Sequence, residues 1–392
     1  MSGDRVPRYN IRETLPRPYT GNLKSDARYM TNVVSTEHLS KYYRLSLIRE
    51  LLPVTRTANC MRIIRFNAPG VSVLHNPARR SARFGNLCTC NSGWICPVCA
   101  PRLAEKKAEI LRTGLLNTPD IHPTLLTFTL SHHKGMPLEA SLSALKQAHR
   151  SLTQSRNWRD LSADIGLQAL ITATEILYGH NGWHTHLHAI ALHDRNLSEQ
   201  DRGIFEYSGA KLWQSALGQQ GYTATLENGF DVKNARYSVA DYVAKFGRDP
   251  ADIADRRSNW GIEREAVKGI AKQSRSSVGR SMQAVLLDSQ GRARSTDGKL
   301  FSEYYAATFG RKLLTISKRA KELLKLDDRI ESDQELLAEN ESSETLLAML
   351  TRAQWRVLLQ GDRRAELLSI AATGDPELLT RYIVNICPEL EL

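Results

Sequence analysis

Three histidines alternate along one stretch of this chain, His184, His186 and His188, within Gly182-Trp-His-Thr-His-Leu-His-Ala-Ile-Ala-Leu192. Side chains two apart on a strand share a face, so a strand here would project three imidazoles together and turn Leu187, Ala189 and Ala191 toward a core. A second β-branched, apolar run, Leu170 to Leu177, precedes it across Tyr178-Gly-His-Asn-Gly-Trp183, whose Asn-Gly and Gly residues form turns. If the hairpin closes about His180 and Asn181, Leu177 faces His184 and Glu175 faces His186. Two imidazoles and a carboxylate then share one face, which makes three legs of a divalent-cation site with room for water or a substrate oxygen. Imidazole with carboxylate suits Mn²⁺ or Zn²⁺, while Mg²⁺ asks for more oxygen. His186 and His188, deeper in the strand, are the preferred ligands with Glu175, and His184 at the turn is a third candidate. The competing reading is an exposed sheet face that histidines merely decorate.

A second cluster is Cys88-Thr-Cys90 followed by Cys96-Pro-Val-Cys99. Four thiolates fit a closed tetrahedral zinc site, and the spacing selects Cys88, Cys90, Cys96 and Cys99. Cys-x-Cys is a tighter bite than Cys-x-x-Cys, so Cys60 is the substitute for Cys88 or Cys90. A redox pair would need a βαβ setting that the flanking sequence lacks; buried free thiols are the remaining alternative.

A third motif is Ala235-Arg-Tyr-Ser-Val-Ala-Asp-Tyr242-Val-Ala-Lys245-Phe246. Helical spacing puts Tyr242 and Lys245 on one face. A phenol attacks poorly while neutral, and an adjacent ammonium together with a bound cation would favour phenolate attack on phosphorus. Alone, a tyrosine on a helix is a packing residue.

The elements around these motifs follow from pattern. The chain has 392 residues and a net charge of +11, with a pI near 9.4, which favours a polyanionic partner. Between Arg56 and Leu115 ten Lys/Arg stand against two Asp/Glu, and between Lys268 and Lys321 twelve against three. No apolar run approaches the roughly 18 residues of a membrane span, and no apolar signal core opens the chain. The expectation is a cytoplasmic, bacterial protein with reduced cysteines and no membrane partner. Residues 1 to about 35 read as an arm and Ser35 to Leu52 as a helix stopped by Pro53. A basic and apolar helix follows Cys99; its Arg102, Lys106 and Lys107 are candidate phosphate contacts. His122 to Ser131 reads as a central strand, Leu138 to Leu152 and Ser198 to Leu217 as helices, and Gly221 to Val232 as a short strand pair. Lys272 to Lys299 reads as a backbone-contacting loop with Arg275, Arg280, Arg292 and Arg294. Arg311 to Leu326 reads as a helix. Asp327 to Glu344 is an acidic linker of eight carboxylates and one arginine. Leu346 to Leu359, Ala365 to Thr373 and Glu377 to Ile386 suggest a small helical tail.

The order of Thr127-Phe-Thr-Leu130, Trp183-His-Thr-His-Leu-His188 and Tyr242-Val-Ala-Lys245 resembles the three motifs of HUH endonucleases. With the upstream Cys-Pro-Val-Cys it more closely resembles the rolling-circle plasmid replication initiators, the Rep family, over roughly residues 55 to 325. The resemblance implies an α+β fold: a core of a five-stranded antiparallel sheet flanked by helices, with an N-terminal Cys-rich zinc-binding element and a C-terminal helical region. The implied division is 1–55 arm and helix, 56–116 zinc element, 117–265 nicking domain, 266–326 basic extension, 327–345 linker and 346–392 tail. It also implies metal-dependent nicking and joining of one strand at a plasmid origin, single-stranded or hairpin, through a 5′-phosphotyrosyl link. That reaction leaves a 3′-hydroxyl for the host polymerase, with a host helicase as a further partner. Carried over by position, His186, His188 and Glu175 hold catalytic Mg²⁺ or Mn²⁺, Tyr242 is the nucleophile, Lys245 supports the phosphate or phenolate, and Zn²⁺ is structural. Phe246 stands where some relatives have a tyrosine, so termination would draw on a second protomer's tyrosine or on water activated by Asp241 or Asp249. Tyr237 is a rival nucleophile without a lysine three residues on. A relaxase or single-strand transposase of the same superfamily is the neighbouring alternative. The alternative of another class is a non-catalytic, zinc-stabilised DNA-binding regulator.

Overall fold

The structure is a computed structural model that describes residues 36–234, 279–338 and 344–387. The described chain divides into two units. The elements in chain order are α1 (Thr36–Leu51), β1 (Val71–Asn76), β2 (Ser81–Gly85), α2 (Cys99–Leu116), β3 (His122–Thr129), α3 (Leu138–Gln154), α4 (Arg156–Asp164), β4 (Leu167–Gly179), β5 (Gly182–His193), α5 (Glu199–Gly218) and β6 (Phe230–Asn234). Beyond residue 278 follow α6 (Met282–Ser289), α7 (Thr296–Thr308), β7 (Leu314–Ile316), α8 (Lys318–Leu324), α9 (Asp333–Ala338), β8 (Thr345–Leu350), α10 (Arg352–Gln360), α11 (Arg364–Ala371) and α12 (Pro376–Ile386).

The larger unit is built on a five-stranded sheet in the order β6-β3-β5-β4-β7, antiparallel at every pairing. The apolar alternation read from β5 holds: Leu187, Ala189 and Ala191 join Leu126 and Phe128 of β3 in a core closed by α3, α4 and α5. Phe128 is fully buried, with the rings of Phe230 and Trp213 at 5.0 and 5.1 Å in edge-to-face contact, a geometry that adds to area burial. On the opposite face Ile171, Ala173, Ile190, Leu192 and Leu314 pack against Leu111 of α2 and Leu324 of α8. Helix starts follow the serines: Ser155, Ser198, Ser281, Ser295 and Ser317 each accept a bond from the amide three residues on, which satisfies one of the donors every helix start leaves open.

The smaller unit joins residues 64–86 to the C-terminal segment. Its sheet runs β2-β1-β8, and α10 to α12 follow β8 in the chain. Trp355 packs edge-on against Phe84 at 4.9 Å.

Several expectations are corrected here. Arg311 to Leu326 is not one helix, because Leu314–Ile316 pairs with β4 as an edge strand before α8 begins. The run from Leu346 opens as strand β8, drawn out of helical form by its ladder with Val71 to His75. In Gly221 to Val232 only the part from Phe230 is strand. The expected loop Lys272 to Lys299 contains α6, and the expected linker contains α9, anchored by Lys107 Nζ on Asp333 Oδ1 at 2.6 Å. Residues 64–86, expected within the zinc element, belong with the C-terminal segment instead.

Candidate metal centre and its surroundings

β4 and β5 meet around a two-residue turn in which Gly179 pairs with Gly182. Gly182 has φ +87°, and a Cβ there would also lie 3.2 Å from the His133 carbonyl, so the turn requires glycine. This register sets Leu177 opposite His184, Glu175 opposite His186 and Ala173 opposite His188.

Glu175, His186 and His188 therefore converge, with their ligand atoms within 4.8 Å of one another. The Nε2 atoms of His186 and His188 lie 2.6 and 2.8 Å from the same Glu175 oxygen. Burial alone would push the Glu175 carboxyl up, but the two imidazoles outweigh it and hold the group well below the usual carboxylate range. Burial lowers His188, so it favours the neutral ring that a metal needs. Thr127 Oγ1, on the neighbouring strand β3, bonds His188 Nδ1 at 3.2 Å and leaves Nε2 facing the carboxylate. Outer partners of this kind fix ring orientation in metal sites. His186 Nδ1 is buried with no partner among the described residues. The donor set of two nitrogens and one carboxylate, aimed at a common point, fits a divalent cation.

His184 stands outside this triad. Its ring meets those of His186 and His132 at tilted angles, both centroids at 4.9 Å, and burial drops it to about 4. His132 and Thr127 are the residues that strand-and-spacing logic passed over. Both lie within or just past the quoted run from His122; the β3–β5 register reveals Thr127, and the loop after β3, where His132 Nδ1 lies 3.2 Å from Asn181 O, reveals His132.

Four thiols form the second cluster: Cys60, Cys90, Cys96 and Cys99, all buried and with sulfurs within 4.8 Å of one another. Cys60 lies 3.6 Å from both Cys96 and Cys99, and Cys90 lies 3.8 Å from Cys99. A tetrahedron with Zn–S bonds of about 2.3 Å has edges of about 3.8 Å, so the set fits zinc. Hydrogen bonding from Cys60 holds the Cys90 thiol down, and the same bond pushes Cys60 up. Cys60 takes the place expected for Cys88. The reason is backbone pairing: Met61 N donates to Cys88 O and Cys88 N to Ile63 O, which carries Cys60 into the cluster and leaves Cys88 half-exposed.

The basic candidates differ among themselves. Lys107 is tied to Asp333, and Arg102 and Lys106 are half-buried. Arg280 clamps Asp288 and Asp297 at 2.8 and 2.7 Å, a structural role. Arg292 and Arg294 are exposed. Tyr237, Asp241, Tyr242, Lys245, Phe246, Asp249 and Arg275 lie outside the described residues.

Fold and clusters together define a mixed α+β protein with an antiparallel five-stranded sheet, a His₂–Glu cluster and a Cys₄ cluster. Over 237 residues the chain is 28% identical to "Protein rep" of Streptomyces lividans, a match that covers 47% of this chain and 52% of that protein. The chain thus spans about half the length of this curated relative, and the likeness supports a Rep-family relationship. No family model and no solved structure matches it. Among the described residues no helix is long and apolar enough to cross a membrane.

Proposed function

We propose that this chain is an HUH-type initiator of rolling-circle replication that nicks and rejoins one DNA strand at a plasmid origin. The observation that carries this reading is the convergence of Glu175, His186 and His188 on one sheet face, in a chain similar to a protein named for replication. A divalent cation held by those three side chains would supply Lewis-acid polarisation of the scissile phosphate. The chain's own part is nucleophilic. The Tyr242 oxygen bonds to phosphorus as the P–O3′ bond breaks, which leaves a 5′-phosphotyrosine and a 3′-oxygen that takes up a proton. Lys245 holds the phosphate or the phenolate by charge.

The described residues on either side of the segment that carries Tyr242 support this role. β6 stands beside β3, with Asp231 opposite Thr127, and Thr127 opposite His188. Tyr242 follows Asn234, the end of β6, by eight residues, which reach at most about 29 Å. The described chain resumes at Gly279, and Arg280 pairs with Tyr178 on β4 through bonds of 2.7 and 3.0 Å. Both flanks of that segment are thus tied to strands of the sheet that carries the cluster.

The test mixes the protein with single-stranded origin oligonucleotide and Mn²⁺ or Mg²⁺ and looks for a protein–DNA adduct that survives denaturation. Tyr242→Phe is expected to abolish the adduct and leave DNA binding nearly intact. An adduct that persists there and vanishes in Tyr237→Phe would move the nucleophile. Tight duplex binding with no adduct under either metal would establish the regulator instead.

A further inference from the structure

The larger unit contains a cavity of about 510 Å³ between the Cys-rich element and the β7 edge of the sheet. That volume lies within the roughly 300–1,000 Å³ of small-ligand sites. Its walls combine apolar groups, Leu103, Ile95 and Ile316 among them, with the rings of Trp94, Tyr305 and Phe309. Trp94 is fixed by donating Nε1–H to the Arg311 carbonyl at 2.8 Å. Phe309 is 72% exposed and meets Tyr305 edge-on at 5.7 Å. A large ring left in water at the rim of a cavity has its face open for stacking.

Four cations border the same cavity: Arg56, Lys107, Arg311 and Lys312. Two are committed within the protein, Lys107 to Asp333 and Arg311 to Glu139. Arg56 and Lys312 are exposed and enter no ion pair among the described residues. Open ring faces beside uncommitted cations match the two halves of a nucleotide, a flat base and a charged phosphate.

The cavity also has a defined relation to the metal centre. Leu314, in its wall, lies across from Ala173, and Ala173 lies across from His188. At about 4.8 Å between strands, the wall begins on the order of 10 Å from His188. Leu314 packs in the same core cluster as Ile190 and Leu192, which share the β5 face of His186 and His188.

We propose that this cavity receives a nucleobase of single-stranded DNA flanking the phosphodiester at the Glu175–His186–His188 centre, with Phe309 stacked on the base and Arg56 and Lys312 on the backbone. The proposal rests on the reading that the chain acts on single-stranded DNA. Base stacking is tolerant of sequence, so the cavity would add affinity and hold the strand in place without choosing the origin.

The test uses the full chain carrying Tyr242→Phe, so that binding is read without cutting, and a fluorescein-labelled oligothymidylate of roughly 12 nucleotides. Phe309→Ala is expected to weaken binding about tenfold, whereas Phe309→Trp retains it. The double variant Arg56→Ala/Lys312→Ala is expected to flatten the slope of log affinity against log salt by about 1.4, two single-strand phosphate contacts' worth. All three side chains are exposed, and unchanged zinc content and melting temperature verify that the variants fold. Equal affinity of Phe309→Ala and its parent overturns the proposal. Adduct formation by otherwise wild-type protein is scored separately. An adduct alongside unchanged affinity removes the base site and keeps the nicking reading. Affinity lost in the cavity variants, with no adduct from the wild type, keeps the base site and removes nicking.

Discussion

Thr127 ties the candidate metal centre to a single hydroxyl on the neighbouring strand. Its Oγ1 bonds His188 Nδ1 at 3.2 Å, and Thr127→Val keeps the shape while deleting that bond. Outer-partner losses of this kind cost about 10- to 100-fold in metal affinity, so Mn²⁺ titration of the variant should show a drop of that size with the fold intact. The Glu175–His186–His188 cluster is legible in the sequence, since a turn at His180-Asn181 puts Glu175 opposite His186 by counting alone. Thr127 is not, because its partnership depends on the register between β3 and β5, strands separated in sequence by two helices and β4. His132 escaped for the same reason: its ring reaches His184 only once the loop after β3 packs on the hairpin turn.

At the scale of elements, the Cys₄ cluster separates what local spacing can decide from what long-range pairing decides. Cys96-Pro-Val-Cys99 is local, and both of its thiols lie in the four-cysteine cluster. The choice between Cys60 and Cys88 depended on the pairing of residues 61–63 with Cys88, which no local pattern encodes. Zinc content measured per chain should therefore remain at one equivalent in Cys88→Ser and fall in Cys60→Ser. The latter should also lower thermal stability, because the binding free energy of a structural zinc is folding free energy. β7 and β8 were read as helix because short apolar runs such as Lys-Leu-Leu and Leu-Leu-Ala-Met-Leu fit either period. Their partners, β4 and β1, lie far back in the chain. Strands marked by alternation and a turn, β4 and β5, and helix α5, opened by the Ser198 cap, need no such partner to be recognised.

Across the whole molecule, acid response follows from a histidine that packs on the sheet face opposite the Glu175–His186–His188 cluster. His149 meets Phe128 edge-on at 5.3 Å, and its Nε2 is buried with no partner among the described residues. Burial lowers it from 6.5 to about 4. Between those values the unfolded chain takes up a proton that the folded chain refuses, so stability declines as pH falls from about 6.5 to 4 and levels below. The loss from this group is at most about 3 kcal/mol. His149→Leu should shrink the difference between urea midpoints measured at neutral and acid pH; an unchanged difference would show that the proton is taken elsewhere. A different consequence follows from the three-stranded sheet. Its middle strand, β1, is flanked by β2 and by β8, and residues 345–350 leave the ribosome long after residues 71–76. At about 5–20 residues per second, one edge of β1 waits tens of seconds for its mate. During that interval the nascent chain displays an unpaired ladder of the kind that recruits foreign strands, and a ribosome that stalls before residue 345 releases a product with the edge permanently bare.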